Sequence, residues 1–131
     1  LSARCYHARS RDLTKDSCNF VCIDDPGGME LETLDGEPFL AVNGTQTLSH
    51  GHLNLLGELD ALREAGIPRF RILPQPLDMV AVGEIFADVL AGRLEAEAGT
   101  ERLAALTGDT PFANGFYYGV AGEAWVASPD A

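Results

Sequence analysis

The opening segment of the chain, residues 1–28, lacks the hydrophobic periodicity of a helix or a strand, yet it contains all three cysteines. Cys5, Cys18 and Cys22 form a C-x12-C-x3-C pattern. The segment ends in the Asp-Asp-Pro-Gly-Gly run at 24–28, which is typical of a turn. We therefore expect a loop that is ordered by something other than a hydrophobic face.

Thiolates in a flexible segment are soft ligands, which suit an iron–sulfur cluster or zinc. Positive side chains near them would stabilise the thiolates and offset the negative charge of a thiolate-ligated centre. Four such side chains are present: Arg4, Arg9, Arg11 and Lys15. The competing interpretation is three ordinary, partly buried thiols, because free cysteine is often buried in proteins. The pattern alone leaves both interpretations open.

A four-iron cluster usually has four protein ligands, and the chain contains only three cysteines. His7, two residues after Cys5, is either the fourth ligand or a bystander. His50 and His52 are predicted to be solvated residues in the first turn of a helix. The alternative is a metal-binding pair, which is less favoured because an i, i+2 pair does not share a helical face. The position of the fourth ligand therefore stays open at this point.

The middle of the chain reads as strands alternating with helices. Met29–Thr33 and Pro38–Asn43 are predicted to pair as a hairpin across an Asp-Gly turn. Leucines at helical spacing from Leu53 predict a helix that is capped by Ser49 and ends at Gly66.

Further along, Arg69–Leu73 is predicted to be a short strand. A helix is expected from the cap Asp78 through Ala91, another over Thr100–Leu106, and an aromatic tail over 111–122. The tail is expected to pack over an end of the fold, although its rings could also stack on a ring-shaped ligand.

This order predicts an α/β fold in which residues 38–92 form a βαβα unit with parallel strands. Two parallel strands are too few for a sheet, so a larger α/β sheet or barrel, or a second chain, is expected to complete it. We treat 1–131 as a single domain made of a cysteine-bearing loop (1–28), the hairpin and βαβα units (29–92), and a short helix with the aromatic tail (93–131). The first residue is Leu1 and not Met, which is consistent with a piece of a longer protein.

Composition narrows the choice of partners. The 20 acidic and nine basic residues give a net charge of −11, which opposes binding to nucleic acid or to an anionic membrane surface. No apolar run is long enough to span a bilayer and the start has no secretory pattern, so we expect a soluble, cytoplasmic protein.

Two further segments are candidates for a pocket, Asn43–Ser49 and Pro74–Pro76. Each follows a predicted strand, and ligands of α/β proteins bind at the carboxyl ends of strands. A capped turn without a ligand is an equally good interpretation of the first segment. The chain has no Gly-x-Ser-x-Gly or His-Glu-x-x-His motif that would indicate a hydrolase.

Five short motifs together resemble a known family. They are Ser2-Ala3-Arg4-Cys5, Lys15-Asp16-x-Cys18-x-x-x-Cys22, Asp25-Pro26-x-Gly28, Asn43-Gly44-Thr45-Gln46-Thr47 and Arg71-x-x-Pro74-Gln75. The family is peptidase U-32, and within it the resemblance is to UbiV-like subunits of oxygen-independent ubiquinone biosynthesis. It extends from Leu1 to about Val126.

This resemblance implies the C-terminal βα units of a TIM-like barrel, incomplete as an isolated chain, in which Cys5, Cys18 and Cys22 hold a [4Fe-4S] cluster. The fourth ligand would lie outside this chain. The implied partners are a UbiU-like subunit and a UbiT-like lipid carrier, and the implied small molecules are a ubiquinone precursor and prephenate. The implied activity is anaerobic ring hydroxylation; the alternative is a collagenase-like peptidase or a peptide-binding domain.

Overall fold

The computed structural model describes residues 4–127 and shows a mixed α/β protein. Ser2 and Ala3 of the first family motif lie outside the described residues. The chain divides into two compact units, Leu1–Gly51 and His52–Ala131, which are described in turn.

The first unit is built on a three-stranded antiparallel sheet with the order β1-β2-β3. The strands are β1 (Met29–Glu32), β2 (Pro38–Asn43) and β3 (Gln46–Ser49). The predicted hairpin is confirmed, since Met29 pairs with Val42 and the strands turn at Gly36, whose φ of +84° suits glycine.

The segment that follows this hairpin differs from its prediction. Residues 43–49 do not connect a strand to a helix; Asn43 pairs with Gln46 and the chain turns straight back into β3. Ser49 pairs with Leu40 and so does not cap a helix. The Asn-Gly dipeptide at 43–44 is a strong hairpin signal, and Gly44 adopts a φ of +60° at this turn.

The segment before the sheet contains three short helical turns. They are α1 (Tyr6–Arg9) and two 3₁₀ helices, Lys15–Ser17 and Val21–Asp24. Its buried residues are Cys5, His7 and Ala8. The expectation that no hydrophobic face orders this segment is consistent with so small a buried set.

The second unit contains a parallel strand pair and three helices. The strands are β4 (His52–Leu53) and β5 (Phe112–Ala113), and the helices are α2 (Leu59–Glu64), α3 (Met79–Leu90) and α4 (Ala96–Thr107). Its core lies between these helices and consists of Leu56, Leu59, Val82, Ile85 and Leu103.

Helix α3 agrees with its sequence signals. The Oδ1 atom of Asp78 accepts hydrogen bonds from the backbone N–H groups of Val80 and Ala81, both at 3.1 Å. The helix ends at Leu90, and Ala91, the last residue of the predicted helix, is its C-cap residue. Helix α4 covers the predicted 100–106 stretch but begins earlier, at Ala96.

Four predictions for this unit are wrong. The helix expected from Leu53 is limited to Leu59–Glu64, because Leu53 belongs to β4 and the next residue, Asn54, accepts the N–H of Leu56 in a turn. His52 therefore lies in a strand and not in a helical turn.

The strand expected at 69–73 does not form, and Phe70 packs against the core from an irregular segment. Pro68 and Pro74 bracket this segment and have no N–H group to donate to a sheet. The parallel partner of β4 is instead β5, which lies far along the chain, so the predicted βαβα order is replaced. None of the helices in 4–127 has the length and apolar character needed to cross a membrane.

Candidate functional site

Cys5 occupies the start of helix α1, where it is the N-cap residue. Its Sγ atom accepts a hydrogen bond from the backbone N–H of Ala8 at 3.4 Å. Only 8% of Cys5 is exposed. The sulfur therefore receives a backbone N–H donor at a position that is largely closed to water.

Cys18 and Cys22 lie on either side of a tight reversal of the chain. The N–H of Phe20 donates to the Sγ of Cys18 at 3.4 Å. Asn19 and Phe20 both adopt left-handed backbone conformations, with φ of 50° and 57°. Such a conformation is uncommon for a bulky residue, and strained backbone of this kind concentrates at functional sites.

The turn between β2 and β3 lies beside Cys22. A Cβ atom built on Gly44 would be 3.9 Å from the Cys22 Sγ. The Asn43–Thr47 motif, which sequence analysis treated as a separate pocket candidate, is therefore next to one of the cysteines. The other pocket candidate, Pro74–Pro76, belongs to the second unit, where the N–H of Gln75 contacts the Met79 Sδ at 3.4 Å.

His7 is not exposed at all, and both of its ring nitrogens have close neighbours. Nδ1 donates to the carbonyl oxygen of Val42 at 3.3 Å. Nε2 lies 2.9 Å from Oδ2 of Asp25, a close contact that is not aligned as a hydrogen bond. Arg11 reaches the same oxygen through Nη2 at 3.3 Å.

Sequence analysis identifies His7 only as a ligand or a bystander. It places Asp25 in the closing turn and does not predict the contact between Asp25 and His7. No periodic pattern marks it, because its contact with His7 joins residues that lie far apart in the chain.

All three cysteines are free. Within residues 4–127, no three His, Cys, Asp or Glu side chains form a group that could hold a single metal ion. A [4Fe-4S] cluster makes a different demand, because each thiolate binds its own iron atom. Free thiols in one compact unit, two of them receiving N–H donors, are a donor set that suits such a cluster.

The second unit contains a buried polar cluster that sequence analysis did not find. The carboxylate of Glu58, 5% exposed, accepts through Oε1 from Tyr118 Oη at 2.8 Å and from Asn114 Nδ2 at 3.3 Å. Asn114 also donates to the carbonyl of Val126 and accepts its N–H, at 2.9 and 2.7 Å. These bonds fasten the aromatic tail to the start of α2.

Part of the aromatic tail packs against other side chains, as expected. The rings of Phe112 and Trp125 lie 5.8 Å apart, while Phe116 is 82% exposed. A shallow cavity of about 370 Å³ adjoins the first pair. It is lined by Thr100, Glu101, Ala104, Pro111, Phe112 and Trp125.

No protein-family model matches the chain, and no solved structure matches it at a significant level. The function is therefore inferred from the cysteines and the contacts around them.

Proposed function

We propose that the first unit is an iron–sulfur unit in which Cys5, Cys18 and Cys22 are thiolate ligands of a [4Fe-4S] cluster. The fourth ligand comes from outside this chain. In this proposal the protein is a UbiV-like subunit that acts with a UbiU-like partner in the oxygen-independent hydroxylation of ubiquinone precursors. The TIM-like barrel architecture belongs to the same proposal.

The observation that carries the proposal is the pair of N–H groups directed at sulfur. Ala8 donates to Cys5 and Phe20 donates to Cys18, each at 3.4 Å. Hydrogen bonds to the charged form of a group stabilise that form, and hydrogen bonds to ligand sulfurs set the potential of iron–sulfur clusters.

The surface of the opening segment gives a second argument. Its largest apolar side chains are exposed: Tyr6 53%, Phe20 69% and Ile23 76%. Burial of these side chains therefore contributes little to the free energy of folding of this segment. A metal centre held by protein ligands contributes its binding free energy to folding, which would stabilise a segment of this kind.

When bound, the cluster supplies one-electron transfer. The chain's own residues exclude water and hold charge: Cys5 is buried, and the N–H groups of Ala8 and Phe20 offset negative charge at two sulfurs. Cys18 and Cys22 are half-buried, so a partner could approach the centre from their side. The hairpin turn at Gly44 lies close to Cys22.

The test is anaerobic reconstitution of the chain with iron and sulfide, with glutathione supplying the fourth thiolate. We expect about four iron and four sulfide per chain and a broad visible charge-transfer band. Replacing Cys5, Cys18 or Cys22 singly by Ser should abolish stable loading. Asp16→Asn, an exposed change two residues from Cys18, is the matched control and should load normally.

Zinc binding alone, no metal, or full iron retention by a variant with all three cysteines changed to Ala would refute the proposal. Metal-independent hydrolysis of gelatin by homogeneous protein would instead favour the peptidase alternative.

A further inference from the structure

We infer that His7 is a positioning residue that holds Cys5 in place relative to Cys22 and the β2–β3 turn. The inference rests on the proposed function for its purpose, since both thiols are proposed ligands. It concerns contacts of this chain that exist without a cluster, so it can be tested separately.

His7 connects helix α1 to the sheet. Helix α1 begins at Cys5, and His7 is its second residue. The Nδ1 atom of His7 donates to the carbonyl of Val42 in β2, two residues before Gly44. The helix that carries Cys5 is thus attached to the strand that leads into the turn beside Cys22.

The second nitrogen of His7 connects α1 to the segment that carries Cys22. Nε2 lies 2.9 Å from Oδ2 of Asp25, which ends the second 3₁₀ helix. The N–H of Asp25 donates to the carbonyl of Cys22 at 3.3 Å. One ring therefore lies between the backbone segments of two of the three proposed ligands.

The contacts of His7 lie out of reach of water. The ring is 0% exposed, so water does not replace a partner that is removed. An apolar side chain at this position would leave the carbonyl of Val42 without its donor and Asp25 without its buried contact. Arg11, which is half-exposed, contacts the same oxygen of Asp25, and this contact does not connect the carboxylate to β2.

The first measurement uses the chain without metal, in a Cys18→Ser, Cys22→Ser background where Cys5 is the single thiol. We compare its rate of reaction with an aromatic disulfide reagent in chains with His7, His7→Leu and His7→Asn. Cys5 is buried, so labelling requires local opening, and His7→Leu should speed it about tenfold. The amide nitrogen of Asn can donate to Val42 as Nδ1 does, so His7→Asn should restore most of the slow rate.

His50→Leu is the matched control, because within residues 4–127 the hydrogen bond of His50 is made by its backbone N–H, which donates to the carbonyl oxygen of Phe39, and the substitution leaves that N–H in place. It should leave the labelling rate of Cys5 unchanged. Amide resonances of β1–β3 report whether each variant keeps the sheet. If His7→Leu loses the sheet, its labelling rate is set aside. The inference is then tested by comparing the Cys5 labelling rate of His7→Asn with that of the parent chain.

The second measurement uses the three-cysteine chain after anaerobic reconstitution. His7→Leu should change the EPR line shape of the reduced cluster and speed its loss to a chelator, and His7→Asn should return both toward the parent values. Faster labelling of Cys5 in a chain that binds no iron would refute the proposed function but keep this inference. Unchanged labelling, line shape and chelator rate in His7→Leu would overturn the inference while leaving the cluster intact.

Discussion

At the scale of single residues, Glu58 shows how a buried charge is tolerated. A carboxylate that leaves water loses several kcal/mol of hydration unless hydrogen bonds replace it. One oxygen of Glu58 receives two donors, from Tyr118 and Asn114, whereas Oε2 is buried with no partner among the described residues. The stability of this buried polar cluster therefore depends strongly on the two donors to Oε1 of Glu58.

Removing either donor should destabilise the second unit. Asn114→Ala deletes the bond to Glu58 and both bonds to Val126, and should lower the free energy of unfolding by about 3 kcal/mol. Tyr118→Phe removes a bond to a charged acceptor and should cost about 1.5 kcal/mol. Urea denaturation measures both values through the shift in midpoint at constant m.

Tyr117→Phe is the matched control for this pair, because Tyr117 is 41% exposed and packs edge-on against Tyr118 through its ring. Its effect should stay within about 0.5 kcal/mol. Equal effects of the two tyrosine changes would mean that the bond to Glu58 contributes nothing specific.

At the scale of elements, two glycines inside helices have opposite roles. A Cβ on Gly99 in α4 would lie 2.7 Å from Leu56 Cδ2 and 3.0 Å from Val89 Cγ2. Leu56 is only 1% exposed and belongs to the core of this unit, so its side chain would have to move within the packed core. A Cβ on Gly83 in α3 would meet nothing within 4 Å. Gly99 is therefore required for close packing of α4, whereas Gly83 is not required by any contact.

The two alanine substitutions should shift stability in opposite directions. Gly83→Ala should stabilise the protein by about 0.5–1 kcal/mol, because alanine loses less backbone entropy in a helix. Gly99→Ala gains the same propensity but forces the core apart, for a net loss of about 1–2 kcal/mol. Thermal unfolding of the two variants side by side checks the prediction, and stabilisation by both would show that the α4 interface adapts freely.

Local signals predicted the elements whose determinants are local. Asp78 caps α3 and Gly36 turns the first hairpin, because each signal acts within a few residues. Sequence analysis was wrong at Ser49, where it gave no weight to the Asn-Gly turn at 43–44, and at 69–73, where the flanking Pro68 and Pro74 disfavour a strand. Ser49 can cap a helix or pair in a strand, and its pairing with Leu40 decides for the strand.

At the scale of the whole molecule, the two units differ in what orders them. Unit 52–131 has a contiguous cluster of buried aliphatic side chains, whereas the cysteine-bearing segment of unit 1–51 buries Cys5, His7 and Ala8. Protection of backbone amides from exchange follows such local stability.

If the first unit binds a cluster, loading should slow amide exchange across residues 5–25, by about tenfold or more. Amides of α3 are the internal reference, since the aliphatic core protects them before and after loading. Hydrogen exchange read by mass spectrometry under anaerobic conditions measures both segments in one sample. Iron uptake with no change in 5–25 would place the metal at residues other than the three cysteines.

The sequence by itself determined which reactive groups are present, namely three thiols in a segment without a hydrophobic face, and the net charge of −11. It also determined local structure, namely the Asp-Gly hairpin and the capped α3 helix. These follow from residue type and from interactions within a few positions. Only the tertiary structure showed that His7 contacts both Val42 and Asp25 and that Gly44 lies beside Cys22. It also showed that Glu58 accepts hydrogen bonds from Asn114 and Tyr118. Each of those contacts joins residues far apart in the chain, where burial and the pairing of distant backbone groups select among arrangements that local preference leaves equal.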